Sequence, residues 1–254
     1  MIDKLIAKIE KKIELLNEQK NSLINQYVTQ GLDQSVEMKD SGVKGIGDIP
    51  KNWSLKKISH IVNFIGSGTT PKSNLKEYYE NGEVNWLITG DLNDHEIYET
   101  SKKITLKAQK DTSLKTYPSN SLVIAMYGAT IGKLGILKVN STVNQACCVL
   151  NFDVNQDIDF WFNAFLGNRE YLISLGYGGG QPNISQETIK GLRLPSPPDK
   201  SEQIVISKFL KKQSKKINNL IKKHIKKKNL LFEYRQSLIS SLVTGKIRIT
   251  EDMI

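Results

Sequence analysis

Two stretches, one at each end of the chain, place apolar residues at alternating spacings of four and three. The first runs through Ile2, Ile6, Ile9, Ile13, Leu16, Lys20, Leu23 and Tyr27. The second runs through Ile217, Ile221, His224, Lys228, Leu231, Arg235, Leu238 and Leu242. This is the heptad rhythm of helices that pack along a narrow seam. Lys20 interrupts the first series, and His224, Lys228 and Arg235 interrupt the second. Polar residues at such positions cost stability but fix register and partner choice. Neither stretch contains a proline. The first helix is expected to end near Gly31. The second is expected to begin near Ser201, a polar residue placed after Pro197-Pro198 to cap the first turn, and to run to Val243.

The region between them changes rhythm. Val84–Ile88 and Ser121–Tyr127 read as strands, and Ile136–Val139 with Ala146–Phe152 as a further strand pair. Asp157–Phe165 and Glu170–Leu175 read as short helices, and Ser185–Ile189 as a helical turn. Connectors rich in Gly, Asn and Ser separate them. Strands and helices do not alternate regularly, so a doubly wound parallel sheet is excluded. The expected architecture is α+β: one mixed α/β domain flanked by two long helices that form an antiparallel coiled coil. The expected boundaries are a first helix at 1–31, a linker at 32–46, the central domain at 47–196, the second helix at 197–245 and a tail at 246–254.

The two helices are also repeats of one another. Laid without gaps over Ile217–Thr244, Ile2–Thr29 shows 14 identities in 28 positions, among them Leu5/Leu220, Ile6/Ile221, Leu16/Leu231, Glu18/Glu233 and Leu23/Leu238. The seam residues Ile6, Ile9, Ile13, Leu16 and Leu23, with Ile221, Leu231, Leu238 and Leu242, are the candidate partner-binding positions.

The net charge of +10 points to a polyanionic partner, nucleic acid above all. Its placement sharpens this. Residues 196–254 carry 14 Lys/Arg against 5 Asp/Glu, whereas residues 60–195 carry 12 against 13. The longest apolar runs, such as Ser121–Tyr127, are too short to cross a bilayer. No signal-peptide pattern opens the chain, so a cytoplasmic protein without membrane contact is expected. Cys147 and Cys148 are adjacent, point to opposite faces of an extended segment and read as small buried hydrophobes.

Candidate catalytic patterns fail one by one. His60, His95 and His224 lie at no metal-ligand spacing. Gly128-Ala129-Thr130-Ile131-Gly132-Lys133-Leu134 is one residue short of a phosphate loop and has Leu134 where a magnesium-binding hydroxyl is required. Ser196-Pro197-Pro198-Asp199 lacks the aromatic platform that a methyltransferase stacks on a flipped base. No metal and no cofactor of its own is expected.

What the central region does carry is chemistry suited to DNA. The loop Gly66–Lys72 offers backbone amides, hydroxyls and a cation for phosphates. Asn144-Gln145 and Gln181-Pro182-Asn183 offer carboxamides, which pair bidentately with adenine. The competing explanation is turn chemistry alone, since these residue types populate loops regardless of function.

A set of motifs in order then carries a resemblance. It comprises Gly47-Asp48-Ile49-Pro50 with Trp53, Gly68-Thr69-Thr70-Pro71, Trp86–Leu92, Gly128–Lys133 and Val143-Asn144-Gln145-Ala146. It continues with Gln181-Pro182-Asn183-Ile184, Leu194-Pro195 with Pro197-Pro198, and Glu202-Gln203 leading into a helix that ends Leu242-Val243-Thr244-Gly245. Over nearly its whole length the chain resembles the specificity (S) subunit of type I restriction-modification systems, in a half-length form with one target-recognition domain. The resemblance implies a non-catalytic subunit that reads one half of a split site in double-stranded DNA. It implies docking to methyltransferase (M) subunits and, through them, to the restriction (R) subunit. S-adenosylmethionine, ATP and magnesium would belong to those partners. On this basis the candidate DNA-binding residues are Ser67, Thr69, Thr70 and Lys72; Thr89; Tyr127, Thr130 and Lys133; Asn144 and Gln145; and Gln181 and Asn183.

Two features depart from the family pattern. A full S subunit carries two recognition domains, whereas this chain reads as helix, domain, helix. Asp199-Lys200-Ser201 also stands where the family more often has a leucine-containing link. A natural half-subunit, a truncated product and a cut piece all fit the first departure. Pairing as a homodimer, or with another half S subunit, is the expectation that follows. A coiled-coil adaptor without DNA binding is the competing class, and an enzyme in its own right the third.

Overall fold

The computed structural model describes residues 2–177 and 183–247. The chain falls into two compact units. One comprises residues up to Leu23 together with those from Phe209 on, and the other comprises Ile24–Lys208.

In chain order, helix α1 (Ile2–Gln30) is followed by strands β1 (Met38–Asp40), β2 (Asp48–Pro50), β3 (Ser54–Lys57), β4 (Val62–Ser67), β5 (Val84–Leu87), β6 (His95–Ile97) and β7 (Lys103–Ile104). Helix α2 (Leu106–Asp111) precedes β8 (Leu122–Ala125), β9 (Leu134–Leu137), β10 (Thr142–Val143) and β11 (Cys147–Phe152). Helices α3 (Ile158–Gly167), α4 (Arg169–Ser174) and α5 (Gln186–Gly191), strand β12 (Arg193–Ser196) and the 44-residue helix α6 (Lys200–Val243) complete it.

Within the first unit α1 and α6 run antiparallel. Asp3 Oδ1 lies 3.2 Å from Arg235 Nε, Glu10 Oε1 lies 3.4 Å from Lys228 Nζ, and Lys20 Nζ donates to Asn218 Oδ1 at 3.3 Å. Seven residues forward along α1 correspond to seven backward along α6, and the next ten to ten, so a single register holds throughout. The heptad positions are the less exposed ones on both helices. Ile6, Ile9 and Ile217 are buried, and Ile2, Ile13, Leu16, Leu23, Ile221, Leu231, Leu238 and Leu242 are half-buried. The polar interruptions Lys20, Lys228 and Arg235 each meet a polar partner on the other helix, which is how a seam with polar members fixes its register.

The second unit is built on a five-stranded sheet of order β4-β11-β8-β9-β6. Its pairs are antiparallel except β6 with β9. β8 is buried at every position, so both faces of the sheet are covered. One face packs Val123, Ala125, Cys147 and Val149 with Leu87, Tyr117 and Val143 in a continuous core. The aromatic face of α3 adds a second cluster. Trp161 stacks on Phe152 with centroids 5.7 Å apart, and Phe160 meets Trp53 edge-on at 6.3 Å. A smaller sheet orders β10-β5-β7, and the pairs β1-β2 and β12-β3 stand apart.

Three expectations change. The strands around Ile136–Val139 and Ala146–Phe152 exist but do not pair, because β8 lies between β9 and β11 and is hydrogen-bonded to both. The glycine-rich connector after Gly31 is not wholly irregular: Met38–Asp40 pairs with Asp48–Pro50. The first turn of α6 is capped by Asp199 rather than Ser201. Asp199 Oδ1 accepts the Glu202 N–H at 3.0 Å and the Ser201 hydroxyl, and these hydrogen bonds hold its carboxyl below the ordinary carboxylate range. At the other helix end Gly31, at φ +72°, stops α1 where expected.

Candidate nucleic-acid interface

The registers of the five-stranded sheet bring one terminus of each of its five strands to the same end of the sheet. Ser67, last in β4, is opposite Cys148. Cys147, first in β11, is opposite Ala125, last in β8. Ile124 faces Leu134, first in β9, and His95, first in β6, faces Gly135. The loops 68–72, 126–133 and 144–146 and the turn 88–94 therefore converge at the same end of the sheet. Of the twelve residues proposed from sequence, nine lie on these segments (Thr69, Thr70, Lys72, Thr89, Tyr127, Thr130, Lys133, Asn144 and Gln145), and Ser67 ends β4 beside them. Asn183 joins them through its neighbour, since Ile184 N–H donates to Met126 O at 2.8 Å while Asn183 and Tyr177 exchange backbone hydrogen bonds. Gln181 lies outside the described residues.

Side chains tie these loops together. Ser67 Oγ donates to Cys147 O at 2.8 Å, and Tyr117 Oη donates to Ser67 O at 2.6 Å. Trp86 Nε1 donates to Thr69 O at 3.3 Å. The Thr70 hydroxyl donates to the Gln145 side-chain oxygen. Gln145 also hydrogen-bonds the Tyr127 hydroxyl, which opposes the upward push that burial gives that phenol. Asn144 Oδ1 accepts the Ala146 N–H at 3.2 Å. Gly68 is seated so tightly that a Cβ would fall 1.6 Å from Val143 O. Ser67, Thr70, Asn144 and Gln145 thus hold the frame of the interface. Lys72, Thr69, Thr70 and Gln145 reach its exposed surface, and Thr89, Tyr127, Thr130 and Lys133 are half-buried.

Sequence reasoning passed over two groups at this end. Asp94 and Arg169 belong to no motif. Arg169 Nη2 donates to Asp94 Oδ1 at 2.5 Å, and Lys133 Nζ lies 3.6 Å from Asp94 Oδ2. The partners are 75 residues apart, so no local signal announces the contact. Asp94 adopts φ +60°, outside the ordinary range for a side-chain-bearing residue.

Residues 50–228 match the family described as the type I restriction modification DNA specificity domain, and the chain belongs to that family. Among curated relatives, the type I restriction enzyme MjaIX specificity subunit of Methanocaldococcus jannaschii is 31% identical over 188 residues, covering 70% of this chain and 43% of the relative. The MjaVIII specificity subunit of the same organism is 29% identical over 261 residues, covering 97% and 58%. The chain spans about half the length of the curated relatives it matches.

Solved structures share the fold. A chain from a study of complex assembly and conformational transition in the type I R-M system aligns with TM-score 0.64 at 14% identity, over 94% of this chain and 56% of that one. The HsdS subunit from Thermoanaerobacter tengcongensis aligns with TM-score 0.58 at 13% identity, over 94% and 55%. Among the described residues, no helix is long and apolar enough to cross a membrane.

Proposed function

We propose that this chain is the sequence-reading component of a type I restriction-modification complex, binding one half of a split site in double-stranded DNA and performing no chemistry itself. The observation that carries the proposal is the convergence of four loop segments at one end of the five-stranded sheet. They are cross-braced by Ser67, Thr70 and Gln145 and carry amides, hydroxyls, carboxamides and lysines outward. Such a surface supplies phosphate contacts for position and polar side chains for base edges.

In this reading the paired helices α1 and α6 dock the methyltransferase subunits, which bring the restriction subunit. A second recognition domain, from another copy of this chain or from a different specificity chain, reads the other half-site. Methyl donor, nucleotide and metal stay with the partners.

The test is a methylation map of the host genome with and without the gene. Loss of a split adenine-methylation motif is the expected result. A palindromic motif supports pairing of two identical copies, and an asymmetric one supports pairing with another specificity chain. A map that does not change removes the proposal.

A further inference from the structure

Asp94 meets three groups at the base of the loop between β8 and β9. Its Oδ1 accepts the Leu134 N–H at 3.1 Å and Arg169 Nη2 at 2.5 Å, and its Oδ2 lies 3.6 Å from Lys133 Nζ. Its own N–H donates to Leu134 O at 2.9 Å. The Arg169 stem packs against the same loop, since a Cβ on Gly132 would lie 3.1 Å from Arg169 Cγ. One carboxylate therefore joins the turn before β6, the start of β9 and the start of α4. The Asp94 and Arg169 side chains are 22% and 24% exposed, whereas Lys133 is 40% exposed, so the lysine is the member that reaches solvent.

We propose that Asp94 is a positioning residue for target discrimination. It holds Arg169 and Lys133 so that the loop Tyr127–Lys133 keeps one conformation and Lys133 is not free for every phosphate that passes. This inference rests on the reading of this end of the sheet as the DNA-facing surface. An unpaired lysine gains from any duplex, because phosphate contacts carry no sequence information. A lysine that already shares a carboxylate must give up a partner first. Only a duplex whose bases also satisfy the neighbouring loops compensates that loss, and the fixed loop makes those contacts at little ordering cost.

The test uses the full chain and Asp94→Asn, each exposed to a pool of randomised duplex DNA. Asparagine keeps the Oδ1 acceptor for the Leu134 N–H and tolerates the left-handed backbone, while the charge and the oxygen that faces Lys133 are removed. The wild-type chain is expected to enrich a motif, and the variant to enrich it about tenfold less. The variant should also bind the unselected pool about two- to fivefold more tightly at low salt, with a salt slope steeper by about one. In a Lys133→Gln background the substitution should no longer change affinity for the pool. A purely structural role for Asp94 would lower the unfolding temperature and weaken both kinds of binding in parallel. That outcome, or equal enrichment by the two proteins, overturns the inference while the DNA-reading function stands. Failure of the wild-type chain to enrich any motif removes that function, and this inference with it.

Discussion

The indole Nε1 of Trp53 donates a hydrogen bond to Glu202 Oε1 over 3.0 Å, joining residues 149 apart in sequence. Trp53 is 1% exposed, and a Cβ on Gly31 would lie 3.2 Å from its ring. One side chain thus ties the last turn of α1, the segment before β3 and the first turn of α6. The next residue of α6 continues the seal. Gln203 Oε1 accepts the Asp157 N–H at 2.8 Å, and Gln203 Nε2 donates to Gln156 Oε1 and Ser196 Oγ, each at 3.1 Å. Trp53→Phe should cost about 1–3 kcal/mol, from lost burial and an unmatched carboxylate. Glu202→Gln keeps the acceptor and should cost less than about 1 kcal/mol. Urea unfolding at constant m-value reads both. A Trp53→Phe cost no larger than that of Glu202→Gln would mean that the ring's burial and its hydrogen bond together contribute nothing.

Two glycines at the interface differ in what they tolerate. Gly68 has Val143 O in the space of a Cβ, whereas Gly128, at φ +80°, has nothing within 4 Å of that position. Gly68→Ala must push β4 and β10 apart and should cost more than about 2 kcal/mol and, on the proposed function, abolish DNA binding. Gly128→Ala meets only the left-handed backbone penalty of about 1–2 kcal/mol. Thermal unfolding of the two variants side by side checks the ranking.

Lys222, Lys223, Lys226 and Lys227 are all exposed on α6, off the seam that faces α1. If they follow the DNA backbone between half-sites, replacing all four with Gln should flatten the plot of log affinity against log salt by up to about 3–4, near 0.9 per phosphate released. The stability of the helix pair should be unchanged. A slope that stays the same assigns these lysines to solvent or to a protein partner.

Burial pushes both thiols of β11 upward, Cys148 to about 12 and Cys147 further still. Each folded-state value lies above the ordinary thiol value of 9.0, so the folded protein holds protons that the unfolded chain releases. Their contribution to stability is complete below pH 9 and declines as pH rises towards the folded values. The native protein should therefore resist aromatic disulfide reagents at pH 8 and react fully once unfolded. Fast reaction of the native thiols would mean that β11 opens locally.

Much of the first unit was legible from sequence, because the periodicity of a helix seam is local. Spacings of three and four place Ile6, Ile9, Leu16 and Ile221 on one face whatever the partner. The polar members Lys20, Lys228 and Arg235 were expected to fix the register, and they meet Asn218, Glu10 and Asp3 across the seam. The partner was expected from sequence as well, because the two ends are repeats of one another, and in the chain the partner is that other copy.

The second unit was legible only in pieces. β8 and β11 announced themselves as apolar runs and α3 as a short helix; its cap is a finding of the structure, where Asp157 Oδ1 accepts the Phe160 N–H at 2.8 Å. Strand order was not, since a backbone edge carries the same donors and acceptors toward any neighbour, and β9 was matched to β11 when β8 lies between them. The loop motifs were visible, but their work was not. Gln145 reads in sequence as a carboxamide for a base, and the fold has it bracing Thr70 and Tyr127. The sequence by itself determined which residues face a seam, where the helices stop and which loops carry polar chemistry, because these depend on backbone preferences and burial periodicity within one element. Which strands are neighbours, and that Asp94 meets Arg169 and Lys133, was decided only by tertiary structure, because contacts between distant segments follow from how whole elements pack and leave no mark on the spacing of residues along the chain.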